Sequence, residues 1–117
     1  MDTITIYHNP KCSKSRESFK LLEQSDLEFT TVKYLDNPLN TQDINNLLTM
    51  LKIPARELMR TKEDIYRELK LSKVEDDALL IEAMVNNPRL IERPIVVKGN
   101  RAVIGRPIEN VIELLNL

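Results

Sequence analysis

Apolar and polar positions change period along this chain, and each change marks an element. Residues 3–8, TITIYH, are β-branched and aromatic and predict a buried first strand, which Asn9 and Pro10 stop. From about Ser13 the spacing becomes helical, with Phe19, Leu21 and Leu22 on one side and Lys14, Arg16, Glu17 and Glu23 around them. Residues 28–34, EFTTVKY, alternate and predict a second strand. The chain therefore opens with a β-α-β unit, whose crossover implies parallel strands.

The middle follows a different pattern. From Asn40 to about Asn87 no strand pattern stands out. Thr41 is placed to cap a helix carrying Ile44, Leu47, Leu48 and Leu51, and Thr61 to cap another carrying Ile65 and Leu69. A third helix is expected from about Val74 through Ala78, Ile81, Met84 and Val85. Asn86-Asn87-Pro88 should end it, since asparagine tolerates the left-handed conformation and proline cannot continue a helix. Then PIVVKGNRAVIGRP places two apolar runs around Gly99-Asn100, a pair suited to a tight hairpin turn. Pro107 is expected to open a last helix carrying Ile108, Val111, Ile112 and Leu115, because proline is favoured at the first helical position.

The order β-α-β, helical block, β-β-α matches the thioredoxin-like fold of the α/β class. In that fold a parallel half and an antiparallel half share one mixed sheet, with helices on its faces. The expectation is a single domain over residues 1–117, with a helical insertion at 40–90 between the halves. The loop after the first strand then meets the N-terminus of the first helix, where this fold places its chemistry.

Composition narrows the function. At 117 residues the chain can bury a core without disulfides or metals to hold it. Seventeen basic residues against eighteen acidic give a net charge of −1, which argues against a general nucleic-acid binder. One cysteine excludes an intramolecular disulfide, and one cysteine with one histidine cannot supply the usual zinc set, so no metal is expected. No run approaches the ~18 apolar residues of a membrane span, and MDTITIYHNP lacks the basic and apolar regions of a secretory leader. A monomer in the cytoplasm, away from membranes, is the expectation.

Cys12 lies in the loop HNPKCSKSRES. A helix N-terminus stabilises a thiolate through unpaired N–H groups and the macrodipole, and Lys11, Lys14 and Arg16 add positive potential. The same N–H groups can hold an oxyanion. A lone cysteine is otherwise a small buried hydrophobe, but a polar, proline-bounded loop suits that role poorly. His8, four residues before, could pair with the thiolate or simply hydrogen-bond at the strand end. Ser15 stands where a C-x-x-C motif would carry its second cysteine; it can donate to sulfur but cannot resolve a disulfide, so a second thiol must come from outside.

Arg93 precedes Pro94 at the start of the hairpin, where the thioredoxin fold has a cis-proline and faces the first helix. Arg106 precedes Pro107 at the positive end of the last helix, an unfavourable place for a cation unless an anion is near. Guanidinium forks suit tetrahedral oxyanions. Two solvated loop charges would be the plain alternative. Arg60, in ELMRTKED, lies just before an expected helix start and signals little by itself.

Taken together, HNPKCSKSR, LMRTKE, ERPIVV and GRP resemble the glutaredoxin-dependent arsenate reductases of the bacterial ArsC type, over essentially the whole chain. The resemblance implies that Cys12 is the nucleophile, that Arg60, Arg93 and Arg106 form the anion site, that His8 lowers the cysteine pKa and that Ser15 lies near the thiolate. The Cys12-Ser13-Lys14-Ser15-Arg16 loop departs from the C-G-T-S-R type of the resistance enzymes and looks like that of chromosomal relatives.

The implied reaction reduces arsenate to arsenite through a Cys12–arsenic adduct. Glutathione is a co-substrate, glutaredoxin a protein partner, and no cofactor is bound. Two other readings stay open. Spx-type regulators share this fold and insertion and bind RNA polymerase, but typically carry a C-x-x-C switch and lack the HNPxC loop. A glutathione-dependent reductase of another substrate would use the same residues.

Overall fold

The computed structural model describes residues 3–117. They form two compact units. The first runs to Asn37 and resumes over Arg93–Leu117; the second is Pro38–Glu92.

The first unit holds the sheet. Strand β1 (Ile4–Tyr7) buries Ile4 and Ile6 and leaves Thr5 and Tyr7 partly exposed, the period-two pattern of a pleated strand. It pairs in parallel with β2 (Thr30–Val32) and antiparallel with β3 (Ile95–Lys98), which pairs antiparallel with β4 (Arg101–Ile104). The order β2-β1-β3-β4 is the mixed thioredoxin-like sheet that the element order implied. β2 is shorter than residues 28–34, because it lies at the edge and β1 gives partners only to Thr30, Thr31 and Val32. Gly99, at φ 62°, makes the β3–β4 turn in the left-handed region that glycine enters without a Cβ clash.

Helices α1 (Ser13–Gln24) and α5 (Glu109–Leu115) complete this unit. Ile4, Ile6, Leu22, Val96, Val111, Leu114 and Leu115 form its core, with Phe19, Leu21, Phe29 and Val103 packed against it. The most buried residues of α1 also include Ser15 and Ser18, so the helix presents small residues where it begins. That lets Gly105 approach closely: a Cβ there would lie 2.8 Å from Ser18 Oγ and 2.7 Å from Pro94 Cγ. Pro107 does not open α5, which starts two residues later with Ile108 as its flanking residue. The proline instead sits in a turn after a cis Arg106–Pro107 bond, its carbonyl accepting from the Asn110 N–H at 3.1 Å. Arg93–Pro94 is also cis.

The second unit is helical, with α2 (Thr41–Leu51), α3 (Asp64–Glu68), α4 (Asp77–Asn86) and single 3₁₀ turns between them. Asn40, rather than Thr41, caps α2: its side chain accepts from Asp43 N–H while Asp43 accepts from Asn40 N–H, a capping box. Thr61 caps nothing, and α3 begins after Glu63. α4 starts at Asp77, its cap Asp76 accepting from Ala78 N–H at 2.9 Å. It ends at Asn86, and Asn87 is not left-handed (φ −136°), because a residue before proline is pushed out of the helical regions. Arg56, which the sequence pattern does not mark, ties this unit together. Its guanidinium donates to Tyr66 Oη and to the carbonyls of Leu71 and Val74.

Candidate active site

The reactive loop is wound around Asn9. Its carbonyl accepts the Cys12 N–H at 3.0 Å, and its side-chain Oδ1 accepts the Lys11 N–H at 3.1 Å. Its own N–H donates to Ser15 Oγ at 2.9 Å. In the sequence Asn9 stands out only as a strand stop; an asparagine that hydrogen-bonds its own backbone two residues on is the signal that marks the turn. Cys12 thus becomes the residue flanking α1, extended at φ −96° and ψ 125°, with its carbonyl accepting the Arg16 N–H.

Arg106 meets this cysteine. Its Nη2 lies 3.3 Å from Cys12 Sγ, while its Nε donates to the Arg93 carbonyl at 2.8 Å. The aim of Arg106 is therefore set by the backbone of Arg93. The Gly105 N–H bonded to the Pro94 carbonyl at 2.8 Å holds the same two segments together.

Burial pushes the Cys12 thiol up, and this is outweighed. The Ser15 N–H, the Arg93 guanidinium, the Lys14 N–H and Arg106 together hold its pKa below the ordinary value. The first turn of α1 contains no acidic residue to oppose them. Cys12 is only partly buried, so the sulfur is both favoured as thiolate and reachable.

His8 and Ser15 pair with each other. Ser15 Oγ is 2.6 Å from His8 Nδ1 and also accepts from Asn9 N–H, so its hydroxyl is engaged by the histidine and the loop. What Ser15 offers the thiolate is its main-chain N–H. His8 stacks on Phe19 with centroids 4.8 Å apart. Burial, with Lys33 and Arg16 nearby, pushes its pKa down, so the ring is neutral at neutral pH. Its tie to Cys12 runs through Ser15.

Arg60 belongs to the second unit. There its Nη2 pairs with Glu63 at 3.1 Å, its Nη1 donates to the Arg89 carbonyl at 3.3 Å, and its N–H donates to the Leu90 carbonyl at 2.7 Å. The structure thus brings Cys12, His8, Ser15, Arg93 and Arg106 together within the first unit. Among the described residues no group of three or more His, Cys, Asp or Glu could hold a metal ion, and no helix is long and apolar enough to cross a membrane.

Comparison with known proteins places this geometry. The ArsC family model matches residues 7–114. Uncharacterized protein YfgD of Escherichia coli (strain K12) is 50% identical over 115 residues, 96% of each chain. An arsenate reductase of Neisseria meningitidis serogroup A is 42% identical over 118 residues, covering 98% of this chain and 100% of its own. The solved structure of an arsenate reductase from Vibrio cholerae superposes with a TM-score of 0.89 at 45% identity, covering 96% of this chain and 97% of that one.

Proposed function

Because the chain belongs to the ArsC family, we propose that it reduces arsenate to arsenite, using Cys12 as nucleophile and glutathione with glutaredoxin as reductants. The observation that carries this reading is the Arg106 guanidinium 3.3 Å from the sulfur of a cysteine at a helix N-terminus. That pair favours both the thiolate and a tetrahedral oxyanion beside it. The relatives named arsenate reductase over nearly the full chain support the choice of anion.

In the proposed reaction the Cys12 thiolate forms a bond to arsenic, and an arsenate oxygen leaves as water after taking up protons. The sulfur of glutathione then displaces a second oxygen, again as water. The glutaredoxin thiolate next attacks the glutathione sulfur. The arsenic–sulfur bond breaks, its electron pair stays on arsenic, and As(V) becomes As(III). Water releases arsenite and regenerates the Cys12 thiolate. Two thiols have then become one mixed disulfide, which balances the two electrons gained by arsenic. A single cysteine makes this external route necessary. Phosphate fits the same donors but has no accessible reduction.

Within the proposal Arg93 and Arg106 hold the incoming anion, and Arg60 is assigned by sequence resemblance to the later thiol-bound species. His8 and Ser15 support the loop and keep its N–H groups aimed. No cofactor is bound and no metal takes part. We place the enzyme in the cytoplasm as a monomer, where reduced glutathione is available.

The test is arsenate-dependent NADPH oxidation with glutathione, glutaredoxin and glutathione reductase. Turnover by the wild type that disappears in Cys12→Ser supports the proposal. Absence of turnover in a folded wild-type protein rejects arsenate as the substrate.

A further inference from the structure

Arg106 reaches Cys12 from the end of a long side chain, so a small change in its backbone moves the guanidinium far. Three main-chain groups around it are gripped by one residue. Asn110, in the first turn of α5, donates its Nδ2 to the Ile104 carbonyl at 3.1 Å and, at 3.5 Å, to the Arg106 carbonyl. Its own N–H donates to the Pro107 carbonyl at 3.1 Å. An amide nitrogen has two N–H donors, so one side chain can serve both carbonyls. Ile104 is the last residue of β4, so these bonds clamp the whole segment between the sheet and the helix. On the other side the segment is fixed by the Gly105 N–H on the Pro94 carbonyl and by Arg106 Nε on the Arg93 carbonyl.

We propose that Asn110 is a positioning residue, which aims the Arg106 guanidinium at Cys12 by clamping the carbonyls on either side of Gly105. It touches neither the sulfur nor a bound anion and acts through Arg106. The inference rests on the reading of Cys12 and Arg106 as a thiolate–guanidinium site. It does not depend on arsenate being the substrate. Asparagine is specific here: aspartate has the same shape but no N–H to give, and alanine has neither the shape nor the donor.

The experiment is alkylation of Cys12 by iodoacetamide across a pH series, which reads the thiolate without arsenate. It compares wild type, Asn110→Ala, Arg106→Ala and the double variant, each checked for folding by circular dichroism. The expected result is an upward shift of the titration midpoint in Asn110→Ala, equivalent to a fall of roughly 2- to 5-fold in the thiol ionisation constant. The double variant should alkylate no more slowly than Arg106→Ala, because Asn110 acts only through that arginine. A wild-type titration in Asn110→Ala, or a loss that adds in full to that of Arg106→Ala, overturns the proposal. Should Asn110→Ala not fold, the near-isosteric Asn110→Asp is examined by the NMR signal of the Arg106 Nε–H. A shifted or rapidly exchanging signal supports the clamp, and an unchanged one overturns it.

Discussion

His8 Nδ1 lies 2.6 Å from Ser15 Oγ, and the same oxygen accepts the Asn9 N–H at 2.9 Å. A serine hydroxyl has one proton to give, so with Asn9 donating to it the oxygen still has its own hydrogen for a neutral imidazole. His8 is kept neutral by burial. The pair thus links the end of the first strand to the first turn of α1 across the loop that carries Cys12.

Ser15→Ala separates the two contributions of this residue. It removes the partner of both His8 and Asn9 in a fully buried place, which should lower stability by about 1–3 kcal/mol in chemical denaturation. The main-chain N–H of residue 15 remains, so the Cys12 titration should move less than in Arg106→Ala. A thiol midpoint that rises more in Ser15→Ala than in Arg106→Ala would show that the hydroxyl, not the N–H, serves the sulfur.

The pH dependence of stability has a definite sign. Cys12 has its folded pKa below the ordinary thiol value, so it contributes stability that is complete above the unfolded pKa and lost as pH falls through the folded one. The folded state of His8 also resists protonation, so stability drops as pH falls below the ordinary imidazole value of 6.5 towards the lower folded pKa. Both groups therefore make the protein more stable at higher pH. Denaturation midpoints measured across pH should show Cys12→Ser flattening the slope just below the ordinary thiol value and His8→Gln flattening it just below 6.5. Equal slopes in wild type and both variants would refute the assignment.

Much of this arrangement was legible in the chain. The alternation of Ile4 and Ile6, the Gly99-Asn100 turn and the helical spacing after Ser13 mark elements that the structure contains. Cys12 stands out because a polar loop is a poor home for a buried thiol, and Arg106 because a cation before a helix needs an anion. The caps were misread where two polar residues compete. Asn40 and Thr41 can both accept, and the capping box with Asp43 favours Asn40. Asparagine at 87 suits a left-handed cap, but the following Pro88 favours extended backbone there, and φ is −136°.

What the pattern hides is long-range. The buried face of α1 includes Ser15 and Ser18, which a hydrophobic pattern cannot mark. Their small size matters only because Gly105, some ninety residues away in sequence, packs against Ser18. Likewise Arg56 and Arg60 look alike in sequence. The first is held by Tyr66 and two carbonyls, while the second pairs with Glu63 at the surface of its unit.

Gly105→Ala tests the close approach. An added Cβ would meet Pro94 Cγ at 2.7 Å, Ser18 Oγ at 2.8 Å and Val111 Cγ2 at 3.2 Å. Pro94 and the helix behind Ser18 cannot swing aside as a flexible chain end would, so overpacking should cost about 1–3 kcal/mol. Because Arg106 is the next residue, the thiol titration should move upward as well. Wild-type stability by thermal melting would mean that the segment yields freely, and that its packing does not aim Arg106.

Arg93→Ala and Arg106→Ala test the anion site. Both guanidiniums favour the Cys12 thiolate, and Arg106 also hydrogen-bonds it. Each replacement should remove charge-assisted bonds of about 1.5–3 kcal/mol, a loss of roughly 10- to 100-fold in kcat/KM for arsenate. The two variants should differ in a second respect. Arg106→Ala removes one side chain, whereas Arg93→Ala keeps the carbonyl that Arg106 Nε uses, so the Arg106–Cys12 contact survives. Arg93→Ala should therefore leave that contact in place yet raise the thiol titration at least as far as Arg106→Ala, because the Arg93 charge weighs more on the thiol. If both variants kept wild-type kinetics, the anion site would not lie at these arginines, however well they serve the thiolate.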